Sequence, residues 1–426
     1  MSSLSSPSAP VPRRGVLLAT LFAAQACGST GHSIGMAVGG IMAASITGTN
    51  AWSGVPVAVG ALGAALASWP LSRLMGRFGR RPGLAIGYGI AVVGSLLGIA
   101  GVLTGDFVLF LAGMTLFGIS NTSNLLARYA AADITPAAQR GRAMGLIVWG
   151  STVGSIVGPN LMKPAVSAGA LLGLSPVASA FLISVASYAL AAILVEVLLR
   201  PDPLTIARRL EAPAAGAPPA PARAFGAIVQ DVRVRLAFGT LMAGQLVMIG
   251  TTSTSPVYLH DHGHHVGTIG LAVAMHLGGM YVASPLSGWL SDRFGRGVMI
   301  AVGGLVLLLA MAIAGLAPGR DSALVMVGLA LNGVGWNFAF VAGSALLTDA
   351  LSPNERASIQ GLADLVMGLL GALGSALGGM ILGAWGFGAL NALGATVVVG
   401  GLAAGIRHLP LAQRAGWWEV RAVGDR

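Results

Sequence analysis

The chain alternates between long apolar stretches and short polar segments. A helix of about 20 apolar residues crosses about 30 Å of hydrocarbon, and about twelve stretches of that length can be read along the sequence. They lie near 16–38, 51–72, 84–103, 107–128, 143–163, 177–199, 236–258, 268–290, 298–317, 324–347, 359–381 and 387–407. Because lipid offers no water to hydrogen-bond a backbone amide, every stretch is predicted to be a helix.

The basic residues between the stretches orient them in the bilayer. Arginines such as Arg77, Arg140, Arg293 and Arg356 fall on the side that also holds both chain ends. Basic residues concentrate on the cytoplasmic side of membrane proteins. The sequence therefore predicts an all-α polytopic membrane protein of about twelve helices with both termini in the cytoplasm.

Composition agrees with a membrane protein. Hydrophobic residues make up 55% of the chain and charged residues 9%, against about 25% charged residues in soluble proteins. The net charge of +10 comes from arginines scattered between apolar stretches. The expected partner is the lipid bilayer, not a nucleic acid. A single cysteine, Cys27, excludes an internal disulfide framework.

A segment rich in Pro and Ala separates the sixth stretch from the seventh, which predicts two six-helix halves. The predicted organisation is a cytoplasmic N-terminal tail, an N-terminal bundle, a cytoplasmic linker, a C-terminal bundle and a cytoplasmic C-terminal tail, at 1–15, 16–199, 200–233, 234–408 and 409–426.

The two halves resemble each other in sequence. TLFAAQ at Thr20–Gln25 matches TLMAGQ at Thr240–Gln245. DITPAAQRGRAMG matches DALSPNERASIQG, which aligns Asp133 with Asp349 and Arg140 with Arg356. Repeated halves are typical of secondary transporters.

The loop RFGR occurs once in each half and carries a family resemblance. Over essentially its whole length the chain resembles the major facilitator superfamily, whose corresponding loops read approximately G-x-L-x-D-R-x-G-R-R/K. The second copy has Gly288, Leu290, Asp292, Arg293, Gly295 and Arg296; the first keeps Leu74, Arg77, Gly79, Arg80 and Arg81, but has Gly76 in place of the acid.

The resemblance implies that these loops hold the cytoplasmic ends of the two halves together. It pairs Arg77, Arg80 and Arg81 with Asp133, and Arg293 and Arg296 with Asp349. A carboxylate in this position can also cap a neighbouring helix N-terminus. The alternative is that the arginines only anchor the loops in the cytoplasm.

Glycines of the fifth stretch form a second pattern. Gly145, Gly154, Gly158 and Pro159 resemble the antiporter motif of the family, with Met162 and Lys163 replacing its final glycines. Small residues four apart let helices approach closely. We expect a tight interface between the halves, and the resemblance links it to export; ordinary helix packing is the alternative.

Asp364 is an acidic residue in the eleventh stretch, which contains no Lys or Arg. It lies about ten residues beyond the cytoplasmic start of the eleventh predicted helix, hence roughly 15 Å into the bilayer. Because ionisable groups at that depth are costly to bury, we predict that Asp364 binds the coupling proton. A structural hydrogen bond is the alternative.

Polar and aromatic residues on the helix faces predict a central substrate cavity. The candidates are Gln25, Ser29, His32, Asn121, Asn124, Arg128, Gln245, Thr252, His276, Tyr281, Trp336 and Asn337. Few of them are charged, which favours a neutral or amphipathic organic substrate. Arg128 either attracts an anionic substrate or extends to the lipid headgroups.

Four histidines lie in the outer loop between the seventh and eighth stretches: His260, His262, His264 and His265. Their nitrogen atoms are suitable metal ligands, but the spacing matches no firm metal motif. A metal site, a pH-sensing loop and a functionless loop all stay open.

Together these patterns predict a monomeric transporter of the bacterial inner membrane, without enzymatic activity or cofactor. The expected function is proton-coupled efflux of a small neutral or amphipathic organic compound. One alternative is uptake of a nutrient or cofactor by proton symport or uniport. A more remote one is export of divalent metal through the histidine loop.

Overall fold

The computed structural model describes residues 13–49, 52–211, 223–318 and 321–407, so the greater part of both predicted tails lies outside the described residues. The N-terminal half is built from seven helices: α1 Arg14–Thr47, α2 Val55–Phe78, α3 Arg80–Thr104, α4 Phe107–Asp133, α5 Arg140–Asn160, α6 Met162–Leu171 and α7 Pro176–Leu198.

Two short helices lie in the predicted linker, and six more form the C-terminal half. The linker helices are α8 Pro203–Leu210 and α9 Phe225–Gln230. The C-terminal half contains α10 Val232–Asp261, α11 Val266–Tyr281, α12 Ser284–Phe294, α13 Arg296–Leu316, α14 Ser322–Ala350 and α15 Pro353–Arg407.

The predicted spans are confirmed as helices. Within the described ranges, nine helices are long and apolar enough to cross a bilayer, with α11 and α12 counted as one. The longest of the nine, α15, bends at Gly386, where φ is 82°, and so provides two spans. The nine helices therefore give ten spans. The helices α1 and α5, which are not among the nine, bring the total to the predicted twelve.

The two halves meet along two pairs of helices. In the N-terminal half α1 packs against α5 and α7, and in the C-terminal half α10 packs against α15 and α13 against α14. Between the halves, α2 packs against α15 and α5 packs against α12. These contacts place the cavity described below between the halves.

Glycine allows the backbones of α5 and α12 to touch. A Cβ atom at Gly145 would overlap the Ser284 carbonyl oxygen, and one at Gly288 would overlap the Gly141 carbonyl oxygen. Because the obstructing atoms belong to backbone, a side chain at either position would force the helices apart. Gly145 therefore lies at an interface between the halves, as predicted from the antiporter-like motif.

The prediction of an interface between the halves is wrong for Gly154 and Gly158. A Cβ atom at Gly154 would meet the Ala26 carbonyl oxygen, and one at Gly158 would meet the Ser33 hydroxyl and the Thr30 carbonyl oxygen. Both glycines thus pack α5 against α1 inside the N-terminal half. The helix α5 therefore contacts α12 through Gly145 and α1 through Gly154 and Gly158.

Gly145→Ala is expected to weaken the closed contact between α5 and α12 because its new methyl group has no space. A Cys27→Ser, Ala357→Cys background provides a reporter, since Ala357 is only 2% exposed on α15. Maleimide labelling of that cysteine should accelerate about tenfold, the effect of about 1.4 kcal/mol on the equilibrium.

The matched control is Gly89→Ala, where a Cβ atom meets nothing within 4 Å. It should leave the labelling rate unchanged. An equal rate in Gly145→Ala and the control would show that the α5–α12 contact does not keep the cytoplasmic side closed.

Candidate functional site

A cavity of about 100 Å³ lies between the two halves. Its wall is formed by Gln25, Ser29, His32 and Ser33 of α1, Asn121, Asn124, Leu125 and Arg128 of α4, Val148, Ser151 and Ser155 of α5, Tyr281 of α11, and Trp336 and Phe340 of α14. Most of the predicted cavity candidates are in this wall. Their contact with a substrate stays a prediction.

The remaining candidates do not line this cavity. Gln245 lies behind its wall and accepts a hydrogen bond of 3.0 Å from Trp336 Nε1. Thr252 Oγ1 lies 3.2 Å from His276 Nε2, and His276 Nδ1 lies 3.0 Å from the Leu329 carbonyl oxygen. These side chains satisfy one another within the C-terminal half, so placing them in the wall was wrong.

Asn337 was also predicted to line the cavity and instead supports a break in a helix. Its Nδ2 donates to the Met280 carbonyl oxygen at 2.6 Å and to Ser284 Oγ at 2.7 Å. These acceptors flank the interruption between α11 and α12. The amide therefore satisfies backbone that the broken helix leaves free.

One side of the cavity is a polar surface shared by α1 and α5. Gln25 Nε2 donates to Ser151 Oγ at 2.8 Å, and Ser29 Oγ donates to the same atom at 3.2 Å. Within the described residues, Gln25 Oε1 is buried without a hydrogen-bond partner. A substrate N–H or O–H group can therefore find an acceptor here.

Several serines of the wall were not among the predicted cavity residues. Ser151 and Ser155 are four residues apart and thus share one face of α5. Their spacing was visible in the sequence, but serine is frequent in membrane helices and neither residue is charged. The opposite side of the cavity is aromatic, with Trp336 stacked on Phe340 at a centroid distance of 4.4 Å.

A buried ion pair next to the cavity joins the two halves. Arg128 Nη2 of α4 lies 2.7 Å from Asp364 Oδ1 of α15, and the two side chains are 1% and 0% exposed. Arg128 also donates to Tyr129 Oη at 3.0 Å and to Ser344 Oγ at 3.2 Å. Its guanidinium lies over the Phe340 ring at 4.3 Å.

This pair corrects two expectations about charge. Arg128 does not extend to the lipid headgroups, because its guanidinium is held by the contacts to Asp364 and its neighbours. Asp364 does not lack a neighbouring cation: the cation comes from the other half of the protein. The stretch around Asp364 therefore gave no sign of its partner, because Arg128 lies 236 positions away along the chain.

One carboxylate oxygen of Asp364 is free to accept a proton. Asp364 Oδ1 is held by Arg128, whereas Oδ2 is buried and has no hydrogen-bond partner among the described residues. A proton on Asp364 would neutralise the acid and leave Arg128 buried without a counter-charge. Removing one partner of a buried pair costs about 3–5 kcal/mol.

The cytoplasmic ends of the halves are joined by a network of acids and arginines. Near α2 and α15, Arg80 Nε lies 2.8 Å from Asp133 Oδ2, and Arg356 Nη1 lies 3.5 Å from Asp133 Oδ1. Arg80 Nη2 also donates to Gln360 Oε1 at 2.6 Å. Asp133 thus holds arginines from both halves.

The pseudo-equivalent network lies near α5 and α12. Arg296 Nε is 3.2 Å from Asp349 Oδ2, and Arg140 Nη1 is 2.7 Å from Asp349 Oδ1. Asp292 accepts hydrogen bonds of 2.9 and 2.8 Å from the backbone N–H groups of Gly141 and Arg142. The carboxylate therefore caps the N-terminus of α5.

Arg80 and Arg296 contact the predicted acids, but the other arginines of the loops have different partners. Arg77 lies over the Phe78 ring, and Arg293 lies over the Trp289 ring at 5.2 Å. Arg81 Nη2 is 3.7 Å from Glu196. Their predicted pairing with Asp133 or Asp349 is wrong, because the backbone turn at Gly79 or Gly295 directs only the following arginine inward.

The linker contributes acids that sequence reasoning did not identify. Glu211 forms ion pairs with Arg140 and, at 2.6 Å, with Arg356. Asp202 Oδ2 accepts a hydrogen bond of 2.8 Å from the backbone N–H of Arg81. The linker therefore contacts both halves at their cytoplasmic ends.

An acid at the start of α10 fixes the end of the linker. Burial raises the pKa of Asp231, but hydrogen bonds from Arg233 and Arg223 outweigh it, and the pKa is lowered below its ordinary value. The stability that this carboxylate contributes is therefore present above its unfolded pKa. It is lost as the pH falls through the lowered folded pKa.

The histidine loop does not assemble a metal site in the described part of the chain. His262 Nδ1 lies 2.8 Å from the Tyr258 carbonyl oxygen, and its ring packs on the Tyr258 ring at 4.4 Å. Among those residues, no three His, Cys, Asp or Glu side chains come close enough to hold a metal ion. The metal-exporter hypothesis gains no support from the structure.

Comparison with known proteins gives consistent matches over the chain. The family model of the Major Facilitator Superfamily matches residues 18–268 and 236–420. The uncharacterized MFS-type transporter YdeG of Bacillus subtilis is 35% identical over 91% of each chain. The riboflavin transporter RfnT of Brucella anthropi is 28% identical over 84% of this chain and 86% of that protein.

Other matches are shorter or structural. The multidrug resistance protein Stp of Mycobacterium tuberculosis is 29% identical, over 37% of this chain and 30% of its own length. The human organic anion transporter MFSD10 superposes with a TM-score of 0.71 at 15% identity, over 93% of this chain and 100% of that one. This likeness shows the fold alone.

Gly76→Asp is expected to add the carboxylate that the first loop lacks. Its new side chain would face the start of α15, where a Cβ atom lies 3.1 Å from Ala357 Cβ. By analogy with Asp292, it would accept hydrogen bonds from the α15 N-terminus and stabilise the closed cytoplasmic side. Maleimide labelling of a Ser287→Cys reporter on α12 should slow severalfold.

Gly76→Asn is the matched control, because it has nearly the same size without the charge. It should change labelling less than Gly76→Asp does. Equal labelling in both variants would mean that steric contact alone acts at this position, and the idea of a missing acid would be rejected.

Proposed function

The chain belongs to the Major Facilitator Superfamily, and from this premise we propose that it is a proton-coupled exporter of a small neutral or amphipathic organic compound. It is a polytopic membrane transporter and not an enzyme. The proposed location is a bacterial cytoplasmic membrane, with the monomer as the working unit. The buried Arg128–Asp364 pair between the halves is the observation that carries the proposal.

The pair supports coupling because its state depends on one proton. While Asp364 is ionised, the Arg128 charge is balanced and the two halves are held together beside the cavity. Protonation removes that balance, and the buried guanidinium then needs another partner. The proton thereby changes both the contact between the halves and the charge of the cavity wall.

Protonation of Asp364 leads to antiport most directly when the substrate is neutral. An Arg128 released from Asp364 would be drawn to other acceptors of the cavity wall that it lines, such as the side chains of Asn121 and Asn124. It would then compete with the substrate for those groups. Proton binding and substrate binding would exclude each other, which is the requirement for exchange.

The remaining wall favours an uncharged compound with a flat ring. Amides and hydroxyls of α1, α4 and α5 supply hydrogen bonds, and Trp336 with Phe340 supplies a stacking surface. With Arg128 neutralised by Asp364, the described wall presents no unbalanced charge. A strongly charged substrate would enter at a cost.

A second candidate is uptake of a cofactor, by proton symport or uniport. The observation that favours it is the riboflavin transporter RfnT, whose match extends over 84% of this chain, against 37% for the multidrug resistance protein Stp. Riboflavin has a flat ring system with hydrogen-bonding groups at its edge, which suits the same cavity wall.

Asp364→Asn is expected to abolish proton-coupled transport while the protein still folds and exchanges substrate. Everted vesicles carrying a proton gradient, read by a pH-sensitive dye, would be exposed to a panel of neutral and amphipathic compounds. A transported compound should dissipate the gradient with the wild type and not with the variant. Its substrate counterflow should persist at lower affinity, because a neutral amide no longer balances Arg128, whose guanidinium then competes with the substrate for the cavity wall.

Asp106→Asn is the control, since Asp106 is exposed and caps α4 through Leu109 N, a role that Asn also fills. Undiminished proton-driven transport in Asp364→Asn would exclude Asp364 as the coupling site. Accumulation of labelled riboflavin in right-side-out vesicles, without export of any tested compound, would replace the export proposal by uptake.

A further inference from the structure

A second cavity, separate from the central one, opens on the lipid-facing side of the C-terminal half. Its volume is about 250 Å³, and α10, α13, α14 and α15 form its wall. Gly239, Gly297, Gly304 and Gly401 replace side chains along it, and Leu305 at its edge is 60% exposed. We refer to this cavity as the lipid-side groove.

The groove has the length of one leaflet. Along α10 it extends from Arg235 to Gly244, and nine residues of helix span about 14 Å. On α13 it begins at Gly297, the second residue of that helix, and reaches Leu307. It therefore begins at the cytoplasmic end and stops near the midplane of a hydrocarbon layer about 30 Å thick.

An unbalanced cation stands at the cytoplasmic mouth. Arg235 is exposed and lines the groove, and within the described residues its guanidinium has no hydrogen bond or ion pair. The neighbouring Arg233 differs, since it is paired with Asp231 at 3.1 Å. An apolar slot of one leaflet's depth with a free cation at its mouth is complementary to an anionic phospholipid.

The deep end of the groove touches the wall of the central cavity. A Cβ atom at Gly244 would lie 3.7 Å from Trp336 Cδ1, and Trp336 lines the central cavity. Ala339, three residues further along α14, lines the groove itself. An occupant of the groove therefore packs behind a side chain that faces the transported compound.

We propose that the lipid-side groove binds one acyl chain of an anionic phospholipid of the inner leaflet, with its phosphate on Arg235. The acyl chain fills the space left by the glycines, and the phosphate supplies the counter-charge that Arg235 lacks. The bound lipid supports Trp336 from behind and so stabilises the aromatic side of the central cavity. This inference does not depend on the direction of transport or on the coupling ion.

The test compares lipids on the purified, delipidated full-length protein. Phosphatidylglycerol should raise the melting temperature in detergent more than phosphatidylcholine does, because only a ligand of the folded state stabilises it. After phosphatidylglycerol has been added back and the excess removed, mass spectrometry should detect it bound to the wild type. Inorganic phosphate at equal concentration should have no effect, because it lacks the acyl chain.

Gly401→Leu and Gly400→Leu form a matched pair. A Cβ atom meets nothing within 4 Å at either position, and only Gly401 lines the groove. Gly401→Leu should therefore fold normally, retain no phosphatidylglycerol and lose the lipid-dependent stabilisation. Gly400→Leu should behave like the wild type.

Arg235→Gln tests the headgroup. It should lower the apparent affinity for phosphatidylglycerol about fivefold, the equivalent of about 1 kcal/mol per basic residue, and leave phosphatidylcholine unaffected. Equal lipid retention by Gly401→Leu and Gly400→Leu would overturn the proposal. So would stabilisation by lipid that appears only after residues 408–426 are deleted, since the chain's own C-terminus would then be the occupant.

Discussion

The cost of an unpaired charge in an apolar medium explains why the two halves of this protein depend on each other. Arg128 and Asp364 lie on different halves, and both side chains are buried. Neither half alone can balance its own charge at this depth, so the pair makes the contact between the halves part of the electrostatics of the cavity. Any event that changes one partner, such as protonation, also changes that contact.

Backbone approach imposes a second constraint on the same interface. Gly145 and Gly288 let α5 and α12 touch, while Gly154 brings α5 against α1. One helix thus contacts its own half and the other half through different glycines. Ser151 and Ser155 lie on the same helix and line the cavity. A movement of α5 relative to α12 therefore shifts the polar side of the cavity as well.

Hydropathy predicted the helices because spanning a bilayer demands length and apolarity, which are local properties. It predicted only in part which polar side chains face the cavity. Asn337 and His276 looked like Asn124 and His32 in sequence, yet they satisfy a helix break and a neighbouring carbonyl oxygen. The partner of Asp364 also escaped prediction, because Arg128 is 236 positions away along the chain. Such pairings depend on how the halves dock, which periodicity within one helix does not encode.

The linker shows why the repeat of the two halves does not make the cytoplasmic side symmetric. Asp133 and Asp349 each hold an arginine of the other half, Arg356 and Arg140 respectively. Glu211 binds both of these arginines at once. If the cytoplasmic ends separate, one carboxylate cannot follow two arginines that move apart, so Glu211 must release one of them. The closed state is therefore stabilised by an acid that belongs to neither repeat, and the length and composition of the linker become part of the equilibrium between the closed and open cytoplasmic side.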